Sequence, residues 1–150
     1  MTKLSMPKID RKLISKKVDV IADLKKIIKA ENILDHEDQI RPFETDALSA
    51  YKQKPLAVVF PKNTKEVSEI LAYCNQEKIK IVPRGAGTGL SGGALPLEDG
   101  ILLCLGKFNK IINIDYKNRC VVAQPGVTNL SITQAVEDKD FYYAPDPSSQ

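Results

Sequence analysis

The sequence lacks long apolar runs. In its 150 residues, no stretch approaches the roughly 20 consecutive apolar residues that a helix needs to cross a bilayer. Segment 1–17 mixes basic residues with Asp10 and has no apolar core of the kind found in secretion signals. The sequence therefore predicts neither a transmembrane helix nor a cleaved leader. We expect a cytoplasmic protein, and peripheral attachment to the inner face of a membrane stays open.

Histidine and cysteine are also scarce. The single histidine, His36, lies among acidic residues and by itself supplies neither a catalytic triad nor a metal cluster. We therefore expect no metal site. The three cysteines, Cys74, Cys104 and Cys120, are odd in number, widely spaced and set in apolar sequence. This pattern is typical of reduced core thiols in a cytoplasmic protein, and a redox or metal role is the less favoured alternative.

The excess of charge of either sign is small. Lys and Arg number 22 and Asp and Glu number 19, which gives a net charge of +3 at pH 7. A nucleic-acid-binding domain would show a clustered basic face, so the sequence predicts no nucleic-acid partner. The hydrophobic content of 43% over the length of one ordinary domain is enough to build a core.

What the chain concentrates in one place is glycine. Five of its eight glycines lie between residues 85 and 93, directly behind the apolar run 79–82. Each glycine loses backbone entropy on folding, so this density is hard to explain by folding alone. Because glycine admits positive φ and has no Cβ, successive N–H groups can converge on one anion. The loop predicts a phosphate or pyrophosphate site, and a glycine-rich turn without a ligand is the alternative.

Hydrophobic periodicity predicts helices and strands in the order of an α+β fold. The predicted elements are a helix from Lys12 to about Ala30, a polar and irregular arm, a strand at 56–60, a helix capped by Asn63 or Thr64, a strand at 80–83, a strand at 101–105, a hairpin of strands at 111–115 and 119–124, and a short helix capped by Thr128 or Asn129. The first strand, the capped helix and the second strand form a βαβ unit. The glycine loop therefore leaves the carboxyl end of a strand, where open α/β sheets usually bind ligands.

Both long helices are predicted to bury one apolar face. The first would bury residues spaced by three and four: Ile14, Val18, Ile21, Leu24, Ile27 and Ile28. The second would bury Val67, Ile70, Leu71 and Cys74. The lysines of the first helix favour a solvated outer face over a membrane-surface helix, because Asp19 and Asp23 interrupt the basic side.

Two known phosphate-binding motifs fit this loop poorly. Residues 87–92 spell G-x-G-x-x-G, but the dinucleotide fingerprint requires a helix to start there, and no amphipathic helix precedes the strand at 101–105. A Walker loop is excluded because Lys107 is followed by Phe108 and lacks the glycine five residues before Gly106. A loop that binds pyrophosphate through its own amides remains. Arg84, Thr88 and Ser91 would add charge and donors.

Several motifs together resemble one family. Residues 82–93, Val-Pro-Arg-Gly-Ala-Gly-Thr-Gly-Leu-Ser-Gly-Gly, resemble the FAD pyrophosphate loop of the vanillyl-alcohol-oxidase, or PCMH-type, flavoproteins, and best their glycolate oxidase and D-lactate dehydrogenase branch. Residues 56–61 resemble the opening of that domain, 123–127 its middle, and 144–149 its second flavin-contact segment. The resemblance covers about 54–150, and the arm at 30–53 resembles the segment that precedes the domain in the 2-hydroxy-acid enzymes.

The resemblance implies a domain organisation. Residues 1–53 would form an N-terminal helix and arm. Residues 54–150 would form an FAD-binding PCMH-type domain that is incomplete at its C-terminus, with the first βαβ-containing subdomain and the start of the second. The chain therefore resembles an N-terminal fragment, and a missing C-terminal half or a partner subunit would complete it.

The resemblance also implies the cofactor and its contacts. The residues that would bind the FAD pyrophosphate are Pro83, Arg84, Gly85, Ala86, Gly87, Thr88, Gly89 and Ser91. The residues that would approach the ribityl and isoalloxazine end are Pro145, Asp146, Pro147, Ser148 and Ser149. By composition alone, that last stretch is equally typical of a frayed tail. The loop contains no histidine, so FAD should be bound non-covalently. We nominate no catalytic residue, because neither a histidine nor paired carboxylates lie near the loop.

The implied parent activity is that of an FAD-dependent oxidoreductase. It would transfer hydride from the carbinol carbon of a 2-hydroxy acid to flavin N5 and pass electrons to a quinone, a cytochrome or an electron-transfer protein. Which 2-hydroxy acid is used, glycolate, D-lactate or a longer one, stays open. The first alternative is a truncated, non-catalytic fragment or split-enzyme subunit with little FAD binding of its own. The second is a nucleotide-binding module with no redox role.

Overall fold

The computed structural model describes residues 7–145. Within them the chain forms five helices and six strands, with 3-10 turns at Ala30–Asn32, Arg41–Phe43 and Glu137–Lys139. The elements are α1 (Arg11–Ser15), α2 (Lys17–Ile27), β1 (Ile33–Leu34), α3 (Glu37–Ile40), β2 (Ala57–Val59), α4 (Thr64–Gln76), β3 (Lys80–Arg84), β4 (Gly100–Cys104), β5 (Ile111–Asp115), β6 (Cys120–Ala123) and α5 (Asn129–Val136). No helix within residues 7–145 is both long and apolar enough to cross a bilayer.

The N-terminal helix is divided in two, contrary to the single helix that the sequence predicts. Asp10 caps α1 by accepting from the amides of Lys12 and Leu13, and the helix ends at Lys16, where φ is −91° and ψ is 10°. The buried face of α2 consists of Val20, Ile21 and Leu24. The prediction that Val18 is buried is wrong, because its side chain lies outside that face and is 80% exposed.

The arm is more regular than the sequence predicts. Strand β1 pairs antiparallel with β2, with Ile33 opposite Val59 and Leu34 opposite Val58. Helix α3 follows, and Ile40 at its end is buried. The prediction that the arm is irregular is therefore wrong for the part that forms β1 and α3. His36 is exposed, as predicted for a surface histidine.

The main sheet has the strand order β1-β2-β4-β3. Strands β2 and β3 both pair in parallel with β4, which lies between them. The predicted βαβ unit is thus present as β2-α4-β3, but its two strands are not neighbours. Because β2, β3 and β4 are parallel, their carboxyl ends share one edge of the sheet, and the glycine loop leaves β3 at that edge.

Helix α4 begins where the sequence predicts. Asn63 accepts a hydrogen bond from the Glu66 amide (2.9 Å), and Glu66 accepts one from the Lys62 amide (2.7 Å). Such reciprocal bonds satisfy amides that the first turn leaves unpaired. The buried face of α4 contains Ile70 and Cys74. The prediction that Leu71 is buried is wrong, because 47% of it is exposed.

Two apolar clusters cover the two faces of the sheet, because side chains alternate along each strand. The cluster on the helix side contains residues of α2, α4 and the strands: Val20, Ile21, Leu24, Ile28, Ile33, Ala57, Val59, Ile70, Cys74, Ile79, Ile101 and Leu103. The cluster on the arm side contains Ile40, Val58, Val82, Leu102 and Cys104, with Leu34, Phe43, Phe60 and Leu97 packed against it. The arm therefore serves as the cover of one sheet face.

A second, two-stranded sheet follows the first. Strands β5 and β6 form the predicted antiparallel hairpin, and Asp115 accepts from the Asn118 amide (3.0 Å) in its turn. Thr128 caps α5 by accepting from the Ser131 amide (3.1 Å). Both the hairpin and the helix agree with the sequence prediction.

The buried carboxylate of Asp99 joins the N-terminal segment to the sheet, and it is paired with the partly exposed Lys80. Asp99, which is 1% exposed, accepts from Lys80 Nζ (2.6 Å) and from the Asp10 amide (2.7 Å). Burial by itself would raise the pKa of Asp99, but the hydrogen bonds from Lys80 and Asp10 outweigh it and leave the pKa below its usual value. The carboxylate is therefore stabilised in the folded state.

Asp99→Asn is expected to lower the free energy of unfolding near pH 7 by about 1 to 2 kcal/mol, because Lys80 loses a charged acceptor. The lowered pKa fixes the sign of the pH dependence. The contribution of Asp99 is present above its unfolded pKa of about 3.9 and is lost as pH falls through the folded value. Urea unfolding at several pH values should show the difference from wild type shrinking below about pH 4. The control is Glu98→Gln at the exposed neighbouring carboxylate; a pH-independent difference would contradict the prediction.

Two of the three cysteines lie in the core, and the third does not. Cys74 and Cys104 are buried, while Cys120 is exposed, so the prediction of a core thiol is wrong for Cys120. Burial raises the pKa of the Cys74 thiol to about 12 and that of Cys104 to about 11. Because the thiolate is the reactive form, both should be inert in the folded state.

Thiol labelling checks this difference. In the native protein a thiol reagent should modify Cys120 rapidly, and Cys74 and Cys104 should react only as fast as the protein unfolds. Cys120→Ser should abolish the fast phase and leave the slow phase unchanged. Fast labelling of more than one thiol among the three would contradict the placement of Cys74 or Cys104.

Candidate functional site

The glycine loop leaves β3 at the carboxyl edge of the sheet, and the segment that follows it leads back to the start of β4. No helix occurs between Arg84 and Gly100, and the loop consists of turns and irregular backbone. This confirms that the loop does not open a dinucleotide-fold helix. Gly87 has a φ of +76° and Gly92 one of +75°, a region that other residues rarely adopt. The two turns of the loop therefore require glycine for their conformation.

The surface of the loop is open to an approaching ligand. A Cβ at Gly85, Gly89 or Gly93 would meet no atom within 4 Å. The side chains of Thr88 and Ser91 are exposed. The loop backbone at these glycines and the side chains of Thr88 and Ser91 are therefore accessible from outside the protein.

A cavity of about 240 Å³ lies beside the start of the loop. Gly85 and Ala86 line it on one side, and Gly106 lines it from the turn after β4. The segment Pro125–Asn129, between β6 and α5, closes the other side. Two segments far apart in sequence thus form one concave surface with the glycine loop.

The backbone holds these two segments close together. The Leu105 amide donates to the Arg84 carbonyl (2.9 Å), and the Gly126 amide donates to the Phe108 carbonyl (2.7 Å). A Cβ at Gly126 would lie 2.6 Å from the Leu105 oxygen and 2.7 Å from the Phe108 oxygen. Only glycine at position 126 allows the two segments to approach this closely.

Sequence reasoning did not assign Gly106, Gly126, Thr128 or Asn129 to the site. The available signal was Pro125-Gly126 directly after a strand, which marks a second glycine turn. Its proximity to the first loop depends on how the hairpin packs, and periodicity does not report that. Pro83, by contrast, is exposed within β3 and does not line the cavity.

Arg84 faces the arm. Its Nη1 donates to the Thr45 carbonyl (2.7 Å) and to the Phe43 carbonyl (3.4 Å), and its guanidinium carbon lies 5.8 Å from the centre of the Phe43 ring. The Ala47 amide donates to the Gly87 carbonyl (2.9 Å). The arm and the loop are therefore joined on both sides of the guanidinium.

Asp46 is the buried acid of this contact. It is 5% exposed, and its two carboxylate oxygens accept from the Leu48 amide (2.9 Å) and from the Ala94 amide (3.4 Å). Ala94 directly follows the last loop glycine, Gly93. Arg84, at the start of the loop, contacts the arm, and Asp46, in the arm, contacts the end of the loop.

The second predicted contact segment lies mostly outside the described residues. Asp146, Pro147, Ser148 and Ser149 fall in that part of the chain. Pro145 is described, and it lines a separate surface depression with Thr133 of α5 and Tyr143. Asn129 lines both this depression and the loop cavity, so the two are adjacent.

Two other features do not coincide with the predicted site. A cavity of about 510 Å³ lies between the hairpin and α5, and none of the predicted contact residues lines it. Among residues 7–145, no cluster of three or more His, Cys, Asp or Glu side chains is arranged to hold a metal ion.

The fold, a mixed sheet with an open glycine loop at its carboxyl edge followed by an antiparallel hairpin and a helix, is that of an FAD-binding domain of the PCMH type. Residues 55–150 match the family model described as FAD binding domain. The chain belongs to this family.

Relatives and solved structures agree with this assignment. The chain is 47% identical over 146 residues to the glycolate oxidase subunit GlcD of Escherichia coli (strain K12), and 41% identical over 131 residues to that of Bacillus subtilis (strain 168). It is 31% identical over 121 residues to the mitochondrial D-2-hydroxyglutarate dehydrogenase of Arabidopsis thaliana. These matches cover 97%, 87% and 81% of the chain, but only 28%, 28% and 22% of the relatives.

Among solved structures, p-cresol methylhydroxylase with substrate bound superposes with a TM-score of 0.72 at 26% identity, over 84% of this chain and 25% of that one. Alkyldihydroxyacetonephosphate synthase superposes with a TM-score of 0.75 at 16% identity, over 97% of this chain and 28% of that one, which shows the shared fold. The chain thus spans about a quarter of the length of the proteins that it resembles.

Proposed function

We propose that this chain supplies the FAD pyrophosphate site of an FAD-dependent oxidoreductase that acts on a 2-hydroxy acid of the glycolate or D-lactate type. The observation that carries the proposal is the glycine loop, whose backbone is open to an anion at the carboxyl edge of the sheet. Membership of the FAD-binding family and similarity to GlcD indicate which anion this is.

The predicted loop contacts fit the pyrophosphate of FAD. Gly85 and Ala86 line the cavity next to the loop, and Thr88 and Ser91 are exposed donors beside its open glycines. Amides directed at a fixed anion stabilise it without reorganising. We propose that the pyrophosphate is bound by these residues and that the cavity between Gly106 and Asn129 accommodates an adjacent part of FAD.

The division of work between protein and cofactor follows from this placement. When bound, FAD supplies the hydride acceptor, flavin N5. The chain's own residues bind and orient the pyrophosphate end, and the loop offers no histidine for a covalent link, so binding is non-covalent. Pro145 to Ser149 are proposed to approach the ribityl and isoalloxazine end.

We propose that further protein completes the site. In the hairpin, Ile112 is 65% exposed and Val122 is 52% exposed, and Leu130 of α5 is 50% exposed. We propose that these apolar side chains are covered in the complete protein. The missing C-terminal half or a partner subunit is the proposed cover. In the complete enzyme the electron acceptor would be a quinone, a cytochrome or an electron-transfer protein on the cytoplasmic side.

Flavin retention tests the proposal. The full-length gene product that contains this chain should purify with FAD, and acid precipitation should release all of the flavin into the supernatant. ADP, which carries the diphosphate, should compete with FAD, while riboflavin should not. A colourless protein whose melting temperature does not change when FAD is added would contradict the proposal. Flavin retained in the precipitate would contradict non-covalent binding.

Substrate reduction separates the alternatives. Under anaerobic conditions, glycolate or D-lactate should bleach the flavin of the complete protein. FAD binding without reduction by any 2-hydroxy acid would favour a nucleotide-binding module. FAD binding only after co-expression with a second polypeptide would favour a split enzyme.

A further inference from the structure

We propose that Arg84 and Asp46 are positioning residues that hold the two ends of the glycine loop on the arm and so fix the direction of its amides. The inference rests on the proposed FAD site, which it extends by two residues with a non-contact role. It assigns the Arg84 guanidinium to the protein side of the loop. The arm thereby becomes part of the cofactor site without touching the cofactor.

The first attachment point is the Arg84 guanidinium. Its two acceptors, the carbonyls of Phe43 and Thr45, are uncharged, so they hold the group without neutralising it. A Cβ built on Gly87 would lie 2.4 Å from Nη2, 2.5 Å from Nε and 2.6 Å from the guanidinium carbon. The cation therefore lies directly against the loop backbone at Gly87.

This placement gives Arg84 two effects on an anion bound by the loop. The planar guanidinium fills the space beneath Gly87 and supports the positive-φ turn there. Its charge also lies against the loop backbone, where it favours an anion bound by that loop. A lysine would keep most of the charge but lose the fork that reaches two carbonyls.

The second attachment point is the Asp46 carboxylate. Being 5% exposed, it holds the Ala94 amide at the end of the loop while its other oxygen holds the Leu48 amide of the arm. The Ala47 amide also donates to Gly87. Residues 43–48 thus bind the loop at its start, its middle and its end.

The contact is local, and this makes its role testable. The groups that the two side chains reach are main-chain groups of one short arm segment and one loop, outside the strands of the main sheet, although Arg84 itself ends β3 opposite Cys104. Conservative changes should therefore alter the loop more than the global fold. Loop order affects binding, because a ligand that must order a loop binds more weakly by the ordering free energy.

The experiment compares variants of the full-length gene product. Arg84→Lys removes the guanidinium fork, and Asp46→Asn replaces one acceptor by an amide donor that faces the Ala94 N–H. The matched controls are Arg41→Lys and Asp38→Asn, whose side chains are exposed elsewhere on the arm. FAD dissociation constants, melting temperatures, and hydrogen exchange of peptides covering 85–94 in the FAD-free protein are measured for each.

Arg84→Lys and Asp46→Asn should each weaken FAD binding about tenfold, because FAD must then order the loop at a cost of about 1.4 kcal/mol. Exchange in 85–94 should accelerate several-fold before FAD is added. Melting temperatures of the FAD-free proteins should stay close to wild type, and both controls should match wild type in every measurement. Arg84→Gln, which also removes the charge, should bind FAD more weakly than Arg84→Lys and with a smaller salt dependence.

Unchanged loop exchange in both variants would overturn the inference, and so would faster exchange with unchanged FAD affinity. Should Arg84→Lys lower the melting temperature broadly, Asp46→Asn, which leaves the guanidinium in place, decides the test. Unchanged loop exchange in that variant would count against the inference. A wild-type protein that binds no FAD would contradict the proposed function alone, because loop exchange in the FAD-free protein still decides whether Arg84 and Asp46 position the loop.

Discussion

Replacing Gly126 by alanine is expected to lower the free energy of unfolding by about 2 to 3 kcal/mol, the upper part of the usual range for overpacking. The new Cβ would lie 2.6 Å from the Leu105 carbonyl oxygen and 2.7 Å from that of Phe108. Both are backbone atoms, so the clash cannot be relieved by rotating a side chain. The two segments must separate, and the Gly126 to Phe108 hydrogen bond of 2.7 Å is lost with them.

Thermal unfolding measures this effect, with an expected fall in melting temperature of roughly 5 to 10 °C. The matched control is Gly106→Ala, because Gly106 lines the same cavity and a Cβ there meets no atom within 4 Å. It should change the melting temperature by no more than about 2 °C. Equal effects of the two changes would show that close approach at Gly126 is not the cause. Gly126→Ala should also weaken FAD binding, because the cavity wall moves.

Gly87→Ala is the second substitution with a large expected effect, and here the effect is on binding. Alanine at φ +76° costs about 1 to 2 kcal/mol. Its Cβ would also displace the Arg84 guanidinium, which approaches that position to 2.4 Å. The guanidinium is the end of a flexible side chain, so the protein can yield there, and the fold should survive. The loop should not keep its shape, and we expect FAD affinity to fall by at least tenfold.

Equilibrium titration checks this prediction. The FAD dissociation constant is measured from the quenching of flavin fluorescence or from competition with ADP. Gly89→Ala is the control in the same loop, because a Cβ at Gly89 has open space around it. If FAD contacts the loop as closely as we propose, Gly89→Ala weakens binding with no change in the stability of the FAD-free protein. Gly87→Ala should lower both. A Gly87→Ala variant with wild-type affinity would contradict the requirement for a left-handed residue at this turn.

Local chemistry was readable from the sequence where one segment decides it. A helix cap depends only on its own first turn, and Asn63 is one of the two caps that the sequence predicts. The absence of a helix after the glycine loop follows from the glycines and prolines that come next, and this was also predicted correctly. Family membership was predicted because several motifs occur in a fixed order, which the family model confirms.

Features that depend on how helices and strands pack against each other could not be predicted from the sequence. The two-residue strand β1 exists only because β2 lies beside it, and a strand that short has no period of its own. Which side of a helix is buried depends on the angle at which it packs, so Val18 and Leu71 were predicted on the wrong side. The direction of Arg84 is set by two carbonyls about 40 residues earlier in the chain, which no local pattern reports.

The arm that covers one sheet face has a consequence for how the domain is delimited. The recurring unit of the family begins at residue 55. A polypeptide cut at that point would leave the hydrogen-bonding edge of β2 without β1 and would uncover Val58, Val82 and Leu102. An open strand edge beside an apolar surface is prone to self-association. The domain shared by the family and the unit that folds without an exposed apolar face therefore start at different residues. The second starts inside the N-terminal arm.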